Sequence, residues 1–168
     1  MAHVPGRGAA LDIGAGALND ARFLLDQGFA QVTALDGEPI AQDVADTLPP
    51  DRFTYAIASF ENFAFPVGTF DVLSAQYALP FIHPDHFDRV FDAIVAALKP
   101  GGILVGQLFG DHDDWVGTPG MTFHGADAAR ARLEPLTVLK FTEEDRHSQT
   151  LNGTPKHWHL FEFIAREH

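Results

Sequence analysis

Ala10-Leu11-Asp12-Ile13-Gly14-Ala15-Gly16 constrains the fold more than any other segment of this chain. The residues before the glycines, Ala9 to Ile13, are a short apolar run suited to a buried strand. Those after them, Ala17 to Gln27, place Leu18, Ala21, Leu24 and Leu25 at helical spacing before Gly28 ends the pattern. Glycines between a strand and a helix leave the backbone open to a ligand and to the free amides of the helix. A second strand, Gln31 to Leu35, runs into Asp36 about twenty residues further on, where a carboxylate accepts hydrogen bonds from both hydroxyls of a ribose. Such a unit opens a parallel α/β sheet, whose ligands bind at the carboxyl ends of the strands. Gly-x-Gly alone is equally a tight turn with no ligand; Asp36 tips the reading toward a nucleotide-like group.

The alternation of strand and helix continues. Glu38 to Asp46 reads as a helix with Pro39 in its first turn, stopped by Pro49-Pro50, and Arg52 to Ala58 as the third strand. Thr69 to Gln76 is the fourth strand, introduced by the turn at Pro66-Val67-Gly68. Pro84 to Leu98 is an amphipathic helix with Phe87, Val90, Phe91, Ile94, Val95 and Leu98 along one stripe. Lys99-Pro100-Gly101-Gly102 then turns into Ile103 to Phe109, a near-continuous apolar run of the kind covered on both faces. A short helix over Gly125 to Leu133 leads into two strand-like runs, Thr137 to Arg146 and His157 to Ala165, with Asn152-Gly153 as the turn signal between them. The expected class is α/β, a three-layer α/β/α sandwich whose mostly parallel sheet ends in an antiparallel hairpin, with right-handed crossovers.

Composition narrows the functions. A length of 168 residues with 46% hydrophobic content suits one domain over 1–168. No run approaches the roughly 20 apolar residues of a membrane span, and Met1-Ala2-His3-Val4-Pro5-Gly6-Arg7-Gly8 lacks the apolar stretch of a secretory signal, so a soluble, cytoplasmic protein is expected. The absence of cysteine excludes disulfides, thiolate zinc sites and a cysteine nucleophile. With 23 acidic against 11 basic side chains, the net charge of -12 repels polyanions, and nucleic acid is not expected as a partner.

A nicotinamide dinucleotide would use the same glycine loop and acid, but its fingerprint places a third glycine at position 19, beneath the pyrophosphate, and this chain has Asn19. With the Leu98-Lys99-Pro100-Gly101-Gly102 turn and the terminal hairpin, the chain resembles the class I S-adenosylmethionine-dependent methyltransferases over nearly its whole length. The resemblance implies a Rossmann-like, seven-stranded sheet in the order 3-2-1-4-5-7-6 and S-adenosylmethionine as cofactor. It implies that Asp12, Gly14, Ala15 and Gly16 lie along the methionine part of the cofactor and that Asp36, with Gly37 beside it, holds the ribose. Ser59 and Phe60 occupy the stretch that contacts adenine, with serine where the family usually has an acid, and Gln76 and Tyr77 form the floor between cofactor and substrate. The helical lid that usually precedes the first strand is not found before residue 9. A narrower likeness, to bacterial tellurite-resistance-type methyltransferases, rests on Gly14 to Asp20 with Phe23-Leu24-Leu25, Gly106 to Asp111, Met121-Thr122-Phe123 and Lys156-His157-Trp158-His159; it implies methylation of a small molecule.

Methyl transfer is an in-line displacement in which positioning and desolvation supply much of the barrier reduction, so a dedicated base is optional. The chain shows no clear catalytic triad or carboxylate pair, and Gln76-Tyr77-Ala78-Leu79-Pro80 is not the Asn/Asp-Pro-Pro-aromatic signature of amino-directed DNA methylation. The expected reaction is transfer to a small nucleophile such as a chalcogen oxyanion or thiol, by a monomer or homodimer; the alternative is a catalytically silent binding or regulatory domain. Candidates for the substrate wall are Tyr77, His112, Asp113, Trp115, His124 and His157, although loop histidines are as often simply solvated. His157 and His159 share one face of a strand, but a stable site needs a third ligand at the same place, and no metal is expected. Lys156-His157-Trp158 could instead line an anion pocket.

Overall fold

The apolar run Ala9–Ile13 forms strand β1 at the middle of an eight-stranded sheet in the computed structural model, which describes residues 4–168. Met1, Ala2 and His3, read above as free of a secretory signal, lie outside the described residues. In chain order there follow α1 (Asn19–Asp26), β2 (Gln31–Asp36), α2 (Gln42–Ala45), β3 (Phe53–Ile57), β4 (Phe70–Ala75), a 3-10 turn (Leu79–Phe81), α3 (Pro84–Ala96), β5 (Leu98–Gly110), β6 (Phe123–His124), α4 (Ala126–Arg132), β7 (Thr137–Gln149) and β8 (Pro155–Arg166). The sheet order is β3-β2-β1-β4-β5-β8-β7, parallel from β3 to β5 and antiparallel at β8 and β7. This is the order expected from sequence once the hairpin strands are renumbered. The added strand, β6, is two residues pairing in parallel with Phe109 and Gly110, too short to show any periodicity.

Side chains alternate across the strands and supply two cores. Ala10, Val32, Ala34, Val72 and Ile103 face α1 and α2, while Leu11, Leu35, Leu73 and Leu104 face α3 and α4. The stripe of α3 is buried through Phe87, Val90, Phe91 and Ile94, each worth about 1.5–3 kcal/mol of apolar transfer. Among the described residues, no helix is long and apolar enough to cross a membrane.

Three expected boundaries move. Helix α2 is a single turn, Gln42–Ala45, instead of Glu38 to Asp46; before it the chain makes a turn in which the Gln42 amide donates to the Pro39 carbonyl at 3.3 Å. The Lys99 to Gly102 segment is not a free turn: it lies inside β5, where a register shift between Phe70 and Val72 absorbs the extra residues. The terminal hairpin is longer than expected. β8 pairs with β5 only from Leu160 to Arg166, whereas it pairs with β7 out to Gln149 and Pro155, so the hairpin's far half is a two-stranded arm extending past the end of β5.

Candidate active site

The loop after β1 takes its shape from three residues in the left-handed region, Gly14 (φ 70°), Gly16 (φ 48°) and Leu18 (φ 63°). The Gly14 and Ala15 amides donate to the Leu35 carbonyl at 2.8 and 3.0 Å, which ties the loop to β2. A Cβ on Gly14 would fall 2.7 Å from the Ala78 methyl, so the loop is pressed against the chain leaving β4. Around Gly16 and Gly37 the space is open: a Cβ on Gly16 would meet nothing nearer than 4.0 Å, and one on Gly37 nothing within 4 Å. Leu18 was read from sequence only as a helix residue. Its conformation costs about 1–2 kcal/mol, which the complete burial of its side chain against α1 and β1 offsets.

Two carboxylates flank this loop in different states. Asp36 accepts from the Gly16 amide on Oδ2 at 2.8 Å and from the Glu38 amide on Oδ1 at 3.1 Å; each oxygen retains a lone pair, the two acceptors a ribose diol requires. Open backbone at Gly16 and Gly37 beside two spare acceptors therefore fits a nucleoside such as that of S-adenosylmethionine. Asp12 is buried and accepts from the Ala21 amide at 3.0 Å. Burial above all, then repulsion from Asp20, pushes its carboxyl up to about 7, and its bond to the Ala21 amide ties β1 to α1. Phe60 lies over the loop, its ring edge 3.6 Å from the Cβ position of Gly14. Next to Ser59, Glu61 is held below its usual range, against the upward push of burial, by hydrogen bonds from its own amide, Ser59 and the His83 backbone; it is turned toward α3.

At the end of β4 the backbone turns through Tyr77, a second buttressed left-handed residue (φ 53°). Gln107 on β5 holds the turn: its Oε1 accepts from the Tyr77 amide at 2.7 Å and its Nε2 donates to Gln76 Oε1. The sequence placed Gln107 inside an apolar strand, and only the β4–β5 pairing reveals its role. Tyr77 forms one wall of an aromatic cleft of about 740 Å³ with Phe109, Trp115 and Trp158, closed on its outer side by Arg146 and the hairpin tip from Gln149 to Asn152. The rings meet edge to face, Tyr77 to Trp158 at 6.2 Å and Phe109 to Trp158 at 6.0 Å, with Trp115 tilted on Trp158 at 5.5 Å. Behind them the buried Lys156 ammonium sits 3.8 Å from the Trp158 ring centre and 4.4 Å from that of Trp115, paired with Asp113.

The six wall candidates therefore separate. Tyr77 and Trp115 line the cleft. Asp113 stands behind it, its oxygens taken by Lys156 and by the amides of Trp115 and His159 at 2.9 and 3.1 Å. Lys156 is consumed by the same pair and offers no free cation for an anion pocket. Alternation along β8 puts Trp158 and Leu160 on the cleft side and His157 and His159 on the other. There His157 contacts His147 and Asp145, while His112 stacks on His159 at 4.7 Å and bonds Asp145 at 3.0 Å. His124, on β6, packs its ring against Phe87 of α3, 4.8 Å between ring centres, where burial and then Arg132 lower its pKa to about 4 and its Nδ1 has no partner.

The model of the methyltransferase domain family matches residues 10–102, which carry β1 to the start of β5 and with them the glycine loop, Asp36 and Tyr77. The chain belongs to this family. The methyltransferase also shares its fold with solved structures of low sequence identity. A S-adenosylmethionine-dependent methyltransferase from Methanosarcina mazei superposes with a TM-score of 0.74 at 17% identity, covering 98% of this chain and 94% of that one. TehB from Haemophilus influenzae gives 0.79 at 14%, covering 99% and 60%. A Burkholderia thailandensis 1,6-didemethyltoxoflavin-N1-methyltransferase, solved with its substrate and S-adenosylhomocysteine, gives 0.72 at 22%, covering 99% and 73%. No curated protein sequence matches. The family model ends at residue 102, whereas Phe109, Trp115, Arg146 and Trp158, which line the cleft, follow it.

Proposed function

We propose that this methyltransferase takes its methyl group from S-adenosylmethionine held between the glycine loop and Asp36, and passes it in the aromatic cleft to a small nucleophile such as a thiol or a chalcogen oxyanion. The observation that carries the reading is Tyr77, which closes the β4 end of the cofactor loop through the Gly14–Ala78 contact next door and is also a wall of the cleft. Bound there, the donor supplies a methyl group activated by a positively charged sulfur. Asp36 and Gly37 hold the ribose, Ser59 and Phe60 border the adenine, and Gly14 to Gly16 with Asp12 behind them carry the methionine part. Gln76 and Tyr77, fixed by Gln107, form the floor between donor and acceptor. The rings of Tyr77, Phe109, Trp115 and Trp158 exclude water from the acceptor, which strips hydration from its lone pair and orients it. The described lining residues include no His, Asp, Glu or Lys to act as a base, which suits an acceptor that reaches the cleft already nucleophilic.

Of these acceptors, the walls favour the soft, weakly hydrated one. Among the described lining residues Arg146 is the single cation, and it is paired with Glu144 at 2.8 Å, so a doubly charged oxyanion would find little compensation. Calorimetry with S-adenosylhomocysteine tests the donor half: wild type binds, and Asp36→Ala weakens binding by about 1.5–3 kcal/mol, the value of hydrogen bonds to a charged group. Absence of binding to wild type would sink the cofactor assignment. Release of S-adenosylhomocysteine is then followed over thiols, chalcogen oxyanions and small amines; binding without turnover on any of them marks a silent binding domain instead.

A further inference from the structure

The face of the arm turned away from the cleft gathers His112 and His159 with Asp111, Glu143 and Asp145. One oxygen of Asp111 and one nitrogen from each of His112 and His159 lie within 4.8 Å of one another. Asp111 Oδ1 stands 3.7 Å from His159 Nδ1 and 3.8 Å from His112 Nε2. Ligand atoms bound at about 2.0–2.1 Å to one ion are about 3.0 Å apart in octahedral and about 3.4 Å apart in tetrahedral geometry, so closing this set shortens the two Asp111 separations by less than about 1 Å and the His112–His159 separation, at most 4.8 Å, by less than about 2 Å.

The second observation is what holds the imidazoles. The remote nitrogen of His112, Nδ1, is 3.0 Å from Asp145 Oδ2, and that of His159, Nε2, is 3.0 Å from Glu143 Oε1. A carboxylate on the far N–H fixes the tautomer and leaves the near nitrogen with its lone pair, the arrangement in which histidines ligate metals. His159 Nδ1 is indeed unprotonated, since it accepts from the His112 amide at 3.1 Å, a bond that must yield to an ion. His159 is seated against backbone: a Cβ on Gly110 would fall 2.0 Å from its Nδ1, so only glycine admits the ring there. His159 is buried, whereas the side chains of His112 and Asp111 are 66% and 56% exposed, giving one fixed ligand and two on a loop free to close onto it.

We propose that Asp111, His112 and His159 bind one divalent transition ion, Zn²⁺, Ni²⁺ or Co²⁺, with water completing its shell. Two nitrogen donors and one carboxylate select these ions over Mg²⁺ and Ca²⁺, which take oxygen. The sequence offered His157 and His159 without a third ligand. In the fold His157 is engaged by Asp145 and His147, and the partners of His159 arrive from the segment after β5. The ion sits across β8 from the cleft and touches no reacting atom; it clamps the 111–115 loop, which carries Trp115, to the arm.

Tag-free protein is titrated with Co²⁺, followed by visible absorption, and with Zn²⁺ in calorimetry. One ion per chain is expected. Asp111→Asn and His112→Ala, both at exposed positions, weaken it at least tenfold, and Glu143→Gln by about 10- to 100-fold through loss of the outer hydrogen bond. His147→Ala, and the pair His83→Ala with His86→Ala at the start of α3, leave it unchanged. Substoichiometric binding by wild type, binding undiminished in the Asp111→Asn/His112→Ala double variant, or loss of the ion in His147→Ala would each overturn the proposal.

Discussion

Asp12→Asn should stabilise the cofactor-free protein by an amount set by pH. Asp12 holds its proton with a pKa of about 7 in the fold, against 3.8 for an ordinary aspartate, chiefly because burial disfavours its charged form. Between these values the native state keeps a proton that the unfolded chain has released, so wild-type stability falls as pH rises from about 4 to about 7 and levels off above. About three units at 1.36 kcal/mol each make the full effect about 4 kcal/mol. Asparagine does not ionise and keeps an oxygen for the Ala21 amide, bonded to Asp12 at 3.0 Å. The variant's advantage should therefore be smallest at pH 4, grow through pH 5 and pH 6, and reach its full value of about 4 kcal/mol by pH 8. Urea unfolding of both proteins at these four pH values measures it, since groups common to the two cancel in the difference. A difference that is flat across pH, or that shrinks toward pH 8, would refute the assignment of Asp12 as a buried, protonatable acid.

His124 predicts the opposite slope. Its pKa of about 4, below the usual 6.5, makes wild-type stability fall as pH drops from 6.5 to 4, by about 2 kcal/mol after allowance for residual solvent contact, and His124→Leu should abolish that part of the acid loss in the same titration. Lys156→Met should cost about 3–5 kcal/mol by leaving the buried Asp113 carboxylate uncompensated, and adding Asp113→Leu should restore only part of it in thermal or urea unfolding, because the Trp115 and His159 amides then lose their acceptor. Gln107→Leu frees the Tyr77 turn: a stability loss of about 1–3 kcal/mol is expected, with KM for the acceptor raised more than the affinity for S-adenosylhomocysteine is lowered.

What the sequence disclosed and what it withheld follow from the range of the interactions. β1, α1 and the end of β2 were legible because burial, helical spacing and the glycine turn act within a few residues, and Asp36 lies one strand beyond the loop it bonds. The extent of α2 was misread because Pro39 in a first turn and Pro49-Pro50 beyond set only outer limits on a helix, whereas the observed turn is Gln42–Ala45. Leu18 was read as a helix residue because nothing in leucine announces a left-handed backbone. The cleft was only partly visible: Tyr77 and Trp115 were singled out, Phe109 read as core, and Trp158 was read with Lys156 and His157 as an anion pocket until the antiparallel pairing of β8 on β5 set its ring against Phe109. The histidines of the last strand were visible as residues, while their side of the sheet depended on which neighbour β8 takes.

The projecting half of the β7–β8 hairpin has a consequence for how such a protein diversifies. The parts proposed to grip the donor arise from the first strands and the glycine loop, whereas Arg146 and Gln149 to Asn152 hang from the outermost strand, with no further strand beyond them among the described residues. Insertions, deletions or a transplanted tip would there disturb few backbone pairings. On the proposed assignment of donor and acceptor sites, acceptor choice would be inherited almost separately from donor grip, and a library confined to the arm's tip should yield altered selectivity on an unaltered catalytic chassis.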